Sequence, residues 1–272
     1  MILFEDKDII VCHKPSGIPV QSARIGQKDM VSILNNHLAE IRESGEKSQR
    51  NRKEPEMVRV VHRLDQPVEG ILVFAKTKKA AAELGKQITE GNMKKMYRAV
   101  CCVTEKARSQ EWYAQDKAVP GSSYRLVDYL VKDGRTNTSS VTDKGKKDAK
   151  RAELSFRILK TAEKDQKRYL LVEINLKTGR HHQIRVQMAH AGLPLYGDQK
   201  YNSNWESYQC SLGVSEAGGI SESLMKGGGR KVTELALCAA SLGFCHPVTG
   251  KSMTFEVEPK SEAFYIFAEN DL

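Results

Sequence analysis

Two short segments hold most of the residues that could do chemistry. The first runs from His62 to Gly70 and reads HRLDQPVEG, between two apolar stretches. An aspartate such as Asp65, on a loop between strands, is held in place by those strands. Pro67 and Gly70 fix an irregular backbone in this loop. These residues fit either a carboxylate that does chemistry or a turn aspartate that caps backbone amides.

The second segment runs from Lys177 to Asp198 and reads KTGRHHQIRVQMAHAGLPLYGD. A glycine-containing loop here delivers basic residues to the start of a helix, where free amides favour anions, and Arg180 strengthens that preference. A zinc site needs histidines one helical turn apart and a third ligand. His182 and His190 are too far apart along the helix for that, so we predict no metal site.

The pattern around these segments is rich in strands. Helical spacing recurs only at Ala80–Ile88, which ends near Gly91, and at His182–Ala191. Strand-like segments occupy 8–13, 71–75, 95–103, 124–132, 152–160, 168–177, 233–244 and 252–258. Because strands and helices do not alternate regularly, the sequence predicts a single α+β domain. We expect a central mixed, largely antiparallel sheet flanked by helices and loops, with an active-site cleft across it. Residues 44–57 are predicted to be an exposed charged loop, and residues 202–230 a mobile insertion.

Composition points to a polyanionic partner in a reducing compartment. Lysine and arginine outnumber aspartate and glutamate by 43 to 34, and the pI is about 9.2. Such a balance favours nucleic acid through phosphate contacts. None of the six cysteines forms a C-x-x-C pair, which predicts reduced thiols in a cytoplasmic protein. The sequence has neither a signal peptide nor an apolar run long enough to span a membrane.

Five ordered stretches resemble the RluA-type pseudouridine synthases. His62-Arg63-Leu64-Asp65 and Gly70 match the family's signature loop, although Val68 and Glu69 replace its usual Thr-Ser. The other four stretches are Glu5–Val20 (a Lys-Pro-x-Gly turn), Lys95–Val100 (Lys-x-Tyr-x-Ala-Val), Gly179–Asp198 (Gly-Arg-Thr-His-Gln-Ile-Arg-Val-His) and Leu237–Pro247 (Leu-His-Ala…His-Pro). His181, Gln187 and Cys238 depart from the usual residues of these motifs. The resemblance covers nearly the whole chain.

The resemblance implies an enzyme that isomerises uridine in RNA without a cofactor. It assigns Asp65 as the catalytic carboxylate and Arg185 as its basic partner. It assigns Tyr97 as the ring that stacks on a flipped uracil, with a hydroxyl that could help to move the proton from carbon 5. Leu237 would line the uracil pocket, and Arg63 would fill the gap left by the base or bind a phosphate. Arg180, His182 and Gln183 are expected at the RNA-facing rim.

The family pattern begins at residue 1, so we expect no preceding RNA-binding appendage and a monomer that binds structured ribosomal or transfer RNA. The basic runs 50–53 and 144–151 could extend that surface, although charge runs are commonly solvated loops. Two alternatives stay open at this point. One is a catalytically silent RNA-binding protein on the same fold, and the other is a hydrolase that uses Asp65 with His62. The absence of a G-x-S-x-G elbow speaks against the hydrolase.

Overall fold

A computed structural model describes residues 1–24, 26–44, 57–113, 118–204 and 234–267. The fold is α+β, with a large mixed, mainly antiparallel sheet and few helices, as the sequence predicts. The strands are β1 (Ile2–Glu5), β2 (Ile9–Lys14), β3 (Arg59–Val60), β4 (Glu69–Ala75), β5 (Lys94–Cys102), β6 (Ser123–Asp133), β7 (Thr138–Thr142), β8 (Lys150–Lys164), β9 (Lys167–Leu176), β10 (Leu237–Cys245) and β11 (Ser252–Glu256). The helices are α1 (Met30–Ser44), α2 (Lys78–Thr89), α3 (Glu105–Arg108), α4 (Gln183–His190) and a 3₁₀ helix (Glu262–Phe267).

The chain forms two compact units, each built from three separated segments. The first comprises Met1–Arg98, Asn175–Lys177 and Leu237–Pro259, and the second comprises Ala99–Ile174, Thr178–Ala236 and Lys260–Leu272. Because the chain passes repeatedly from one unit to the other, no single linker divides it. The interpretation as one domain stays a prediction.

The core of the first unit is the antiparallel pair of β2 and β4. Ile9 pairs with Ala75 and Val11 with Val73, and every residue of both strands is buried. This burial explains why the ILVFA run of β4 is continuously apolar rather than alternating. On its other edge β4 pairs in parallel with β10, which carries β11. The loop that holds Asp65 leads directly into the start of β4.

Two capped helices accompany this sheet. Thr77 caps α2 by accepting a hydrogen bond from the Ala80 amide, and Gly91 follows its last turn at a φ of +75°. The glycine stop predicted for this helix is therefore confirmed. Asp29 caps α1 through its side chain, which accepts from the Ser32 amide at 2.7 Å, and the Ser32 hydroxyl accepts in return from the Asp29 amide. This reciprocal arrangement is a capping box.

In the second unit, β6 pairs with both β7 and β8 in antiparallel register. Asp165 and Gln166 join β8 to β9 with positive φ values of 50° and 59°, as a two-residue hairpin turn requires. Helix α4 packs on this sheet through Val186, which forms a small buried cluster with Leu130 and Ala152. The β-strands therefore provide a rigid base for α4 and the loop before it.

Most of the two segments predicted to be exposed or mobile lies outside the described residues. Of the charged loop 44–57, only Ser44 and Met57 are described, and of the insertion 202–230, only residues 202–204. Both predictions therefore stay open. No helix in the described part of the chain is both long and apolar enough to cross a membrane.

Candidate functional site

The Asp65 loop is clamped to the turn after β2 by main-chain and side-chain hydrogen bonds. The Gly17 amide donates to the Gln66 carbonyl at 3.0 Å, and the Gln66 side chain returns a bond to the Gly17 carbonyl at 2.9 Å. The Ser16 hydroxyl donates to the Pro67 carbonyl at 2.9 Å. The loop is also closed on itself, because the Val68 amide donates to the Asp65 carbonyl at 3.0 Å. Asp65 itself is half-buried.

The buried ammonium of Lys14 lies at the centre of this clamp. Its Nζ donates to the carbonyls of Pro15, Ile18 and Gln66 at 2.9, 2.8 and 3.0 Å, so all three of its donors are used. Burial lowers the pKa of Lys14 to about 8, and the nearby charge of Asp65 opposes that change. A fully buried cation with three carbonyl partners thus holds the backbone next to the predicted catalytic carboxylate.

Gly70 cannot be replaced without moving the sheet. Its φ is +127°, and a Cβ atom there would lie 2.5 Å from the amide nitrogen and carbonyl oxygen of Ala239. Ala239 is the residue of β10 that pairs with Gly70. The glycine of the signature loop is therefore required by close approach of two main chains.

Tyr97 and Leu237 are both buried, at 7% and 3% exposure. Burial raises the pKa of the Tyr97 phenol, and the charge of nearby Asp65 raises it further. Burial therefore favours the protonated phenol over the phenolate. Asp65 is near enough to Tyr97 for its charge to affect the phenol.

His62, the other polar residue of the signature loop, has a structural role. Its Nε2 accepts a hydrogen bond from the Val73 amide at 3.2 Å. Burial lowers the pKa of His62 well below its ordinary value, so the ring is neutral. This use of Nε2 makes His62 a poor general base.

Two departures from the family motifs lie side by side. Glu69, where serine is usual, and Cys238, where histidine is usual, are paired residues of the parallel strands β4 and β10. Glu69 is 3% exposed, and its Oε2 lies 3.6 Å from His13 Nε2, within range of a charge interaction but too long for a hydrogen bond. Burial raises the pKa of Cys238, and the charge of Glu69 raises it further. The two substitutions therefore share one buried polar environment.

Arg185 is held by a carboxylate that sequence reasoning left without a role. Its Nε and Nη2 donate to the two oxygens of Asp198 at 2.8 and 2.7 Å, and the Asp198 side chain is fully buried. The guanidinium carbon lies 5.0 Å from the centre of the Tyr201 ring. The Asp198 carboxylate also accepts from the amides of Lys200 and Tyr201. This bidentate pair fixes the plane of the guanidinium.

A stacked histidine pair supports the same region. The rings of His181 and His182 lie 3.8 Å apart, and His182 Nδ1 bonds the Tyr201 hydroxyl at 2.7 Å. His181 Nδ1 bonds the Ser139 hydroxyl at 2.9 Å, which attaches the β6–β7 hairpin to the loop. Burial lowers the pKa of His182 to about 3, and the charge of Arg185 contributes, so His182 is neutral.

The remaining predicted binding residues differ in exposure. Arg63 and Arg180 are exposed, as a rim position requires. Gln183 is only 3% exposed, and its amide bonds Thr178, the Arg180 backbone, the Glu153 carbonyl and Gln187. Gln183 and His182, at 3% and 7% exposure, are therefore buried rather than at an exposed rim, and their contact with RNA stays a prediction.

Among the described residues, one trio of possible metal ligands lies together. Donor atoms of Asp6, Asp8 and His246 are within 4.8 Å of one another. However, His246 Nδ1 accepts from the Val248 and Thr249 amides, so its proton is on Nε2, which donates to Asp6 at 2.8 Å. A metal on Nε2 would have to displace that proton, so we assign this histidine a role in closing its turn.

Comparison with known proteins agrees with this fold and loop. A profile of the family described as RNA pseudouridylate synthase matches residues 8–190. The ribosomal large subunit pseudouridine synthase D of Zymomonas mobilis is 29% identical over 269 residues, covering 98% of this chain and 71% of that protein. The synthase C of Escherichia coli is 30% identical over 259 residues, covering 94% of this chain and 65% of that protein.

A solved structure of human RNA pseudouridylate synthase domain containing 4 has the same fold, with a TM-score of 0.63 at 22% identity, over 97% of this chain and 90% of that one. The fold and the family match are those of an RNA-modifying isomerase class. The chain belongs to the RNA pseudouridylate synthase family, whose members are isomerases that act on RNA.

Proposed function

We propose that this protein converts uridine to pseudouridine within RNA, with the carboxylate of Asp65 as its reactive group. The observation that carries the proposal is the placement of Asp65 on a clamped loop close to a buried tyrosine. The reaction breaks the bond from ribose carbon 1 to uracil nitrogen 1, and the turned uracil rejoins through its carbon 5. An ionised carboxylate can serve as nucleophile or as base at the ribose.

Tyr97 and Leu237 form the apolar wall against which a flipped uracil would stack. The target base must leave its stack to reach Asp65, and an aromatic face compensates for part of the lost stacking. The protonated Tyr97 hydroxyl is available as a hydrogen-bond donor, because burial disfavours the phenolate. We assign its ring to holding the base, with the hydroxyl assisting proton transfer from carbon 5.

Arg185 is assigned as the basic partner of Asp65 by the family resemblance, and its buried pairing with Asp198 supports a fixed guanidinium plane. Exposed Arg63 and Arg180 are assigned to the RNA backbone or to the space left by the base. His182 supports the loop beside Arg185 through its bond to Tyr201.

Structured ribosomal or transfer RNA is the proposed substrate class. The bacterial relatives are named as pseudouridine synthases of the ribosomal large subunit, which favours ribosomal RNA as the first target to test. We also propose a cytoplasmic monomer. The free cysteines described here, four buried and one exposed, fit a reducing compartment.

The hydrolase alternative is disfavoured because the Nε2 of His62 is occupied by a backbone amide. A catalytically silent RNA-binding protein on the same fold would keep the same Lys14 clamp, so an activity assay separates this alternative from the enzyme. The two proposals of enzyme and binder differ in whether carbon 5 of uridine loses its proton.

Tritium release tests the proposed function directly. Unmodified ribosomal and transfer RNA transcripts made with uridine tritiated at carbon 5 are incubated with the protein, and released tritium is measured. We expect release from at least one RNA class, with pseudouridine found by mass spectrometry in the product. Tight RNA binding without any release from either class would favour the silent binder.

A further inference from the structure

We propose that the connection from β7 to β8, together with Arg180, forms a surface that binds the phosphate backbone of RNA. The proposal rests on the proposed function, because it takes RNA as the ligand. We call this surface the basic rim and define it as Lys144, Lys146, Lys147, Lys150, Arg151 and Arg180. All six residues are exposed.

The four lysines of the basic rim make no ion pairs in the described part of the chain, although Asp143 and Asp148 lie in the same segment. The connection is nevertheless ordered by two successive turns, in which the Lys146 amide donates to the Asp143 carbonyl and the Ala149 amide donates to the Lys146 carbonyl. Fixed turns hold several exposed cations close together, an arrangement that attracts a polyanion.

The structure joins Arg180 to this run, although the two are far apart in sequence. Arg180 Nε donates to the Arg151 carbonyl at 2.9 Å. A carbonyl is neutral, so this bond positions the guanidinium without cancelling its charge. The Arg180 guanidinium therefore lies beside the start of β8.

A single carboxylate serves two arginines at the edge of the rim. Glu153 bonds Arg125 at 2.7 Å and Arg151 at 2.5 Å. With Arg125 included, the rim holds seven cations, and three carboxylates are next to or bonded to them, those of Asp143, Asp148 and Glu153. This net charge of +4 is nearly half of the +9 carried by the whole chain.

Phosphate fits this surface better than the carboxylates of an acidic protein. Guanidinium groups bind phosphate oxygens through paired hydrogen bonds, and ammonium groups add point charges along a strand. Regularly spaced phosphates can engage several cations at once and release their counterions. RNA is also the class of ligand on which the family acts.

Salt-dependent RNA binding tests the basic rim. The triple variant Lys144→Gln, Lys146→Gln, Lys147→Gln is compared with wild type by fluorescence anisotropy on a short labelled RNA stem–loop with uridines in its loop, over a series of KCl concentrations. We expect affinity to fall about tenfold or more and the slope of log K against log salt to become shallower by about 2. A matched control removes the same charge from α2 (Lys78→Gln, Lys79→Gln, Lys86→Gln), where all three lysines are exposed, and should leave most of the slope intact.

A variant that removes a negative charge, instead of positive ones, separates an electrostatic effect on RNA binding from loss of structure. Glu153→Gln removes the one carboxylate shared by two arginines, so RNA binding should tighten a few-fold and its slope steepen by up to about 1. The proposal is overturned if the lysine triple variant keeps wild-type affinity and slope, if the α2 control changes the slope equally, or if Glu153→Gln weakens binding. Tritium release by wild type, with no effect of the rim variants on binding, would refute the surface alone. Weaker binding by the rim variants without release by wild type would refute the proposed reaction alone.

Discussion

Removal of the Asp198 carboxylate should leave the buried charge of Arg185 without its ion-pair partner. Arg185 and Asp198 are 6% and 0% exposed at their side chains, and two hydrogen bonds of 2.8 and 2.7 Å join them. Breaking a buried pair by removing one partner costs about 3–5 kcal/mol, because the other charge stays desolvated. At about 2–4 °C per kcal/mol for a chain of this size, Asp198→Asn should lower Tm by roughly 6–20 °C.

A double-mutant cycle isolates the pair from its surroundings. The double variant Arg185→Met, Asp198→Asn removes both charges, so it should be less destabilised than the sum of the single variants by about 2 kcal/mol or more. Denaturant unfolding of wild type, the two single variants and the double variant gives the four free energies of unfolding. The amides of Lys200 and Tyr201 also bond Asp198, and the asparagine oxygen retains an acceptor for them.

The same variants also report on activity. Asp198→Asn should lower kcat in the tritium assay at temperatures where the variant is folded, because the guanidinium loses its fixed plane. Additive free energies of unfolding, or a Tm within about 2 °C of wild type, would refute this reasoning.

Three further predictions concern the Asp65 loop. By denaturant unfolding, Gly70→Ala should destabilise the fold by about 4 kcal/mol or more, since its Cβ would meet the main chain of Ala239 at 2.5 Å. The control Gly91→Ala, at a φ of +75° with open space around it, should destabilise the fold by only about 1 kcal/mol. The folded pKa of Lys14 is about 8, below its unfolded value, so its contribution to stability rises between roughly pH 8 and 10, whereas activity should fall above pH 8 because the neutral amine has two donors for three carbonyls. This fall in activity should be retained in Lys95→Met, whose residue also has a pKa of about 8. A fall in activity above pH 8 that persists in Lys14→Met would contradict this prediction. Tyr97→Phe should keep substrate affinity, because the ring still stacks, and at least about a tenth of the wild-type rate, because burial disfavours the phenolate. Loss of more than about a thousandfold in single-turnover rate would show that the hydroxyl is essential.

Periodicity predicted the strands better than the helices. The strands β2, β4, β5, β6, β8 and β9 follow apolar or alternating runs, and their positions were predicted within a few residues. Helix α1 was missed, although Asp29 and Ser32 form a capping box before buried Met30, Leu34 and Leu38. The spacing of those three apolar residues is helical, so this signal was present in the sequence.

The partners of the site residues could not be predicted from spacing. Lys14 bonds the carbonyl of Gln66, 52 residues away, and carbonyl acceptors have no sequence signature. Glu69 and Cys238 are neighbours only because β4 and β10 run parallel. Sequence motifs therefore predict which residues form the site, whereas the fold decides what holds each of them.

Gln183 shows a further reason for the limits of motif reasoning. A polar residue next to Arg180 and His182 looks like a binding residue, but its amide bonds four partners within the fold. Burial decides between these roles, and burial is set by β8 and α4 together. Asp198 was similarly visible within the Gly179–Asp198 motif, yet only the structure assigns it to Arg185.

The most direct test of the account is pseudouridine formation by Asp65→Asn. Mass spectrometry of an unmodified large-subunit ribosomal RNA transcript, incubated with wild type or variant, measures product at each uridine. We expect pseudouridine with wild type and none with Asp65→Asn, while circular dichroism and RNA affinity of the variant match those of wild type. Product formed by Asp65→Asn at the wild-type rate would contradict the central claim that this carboxylate carries the reaction.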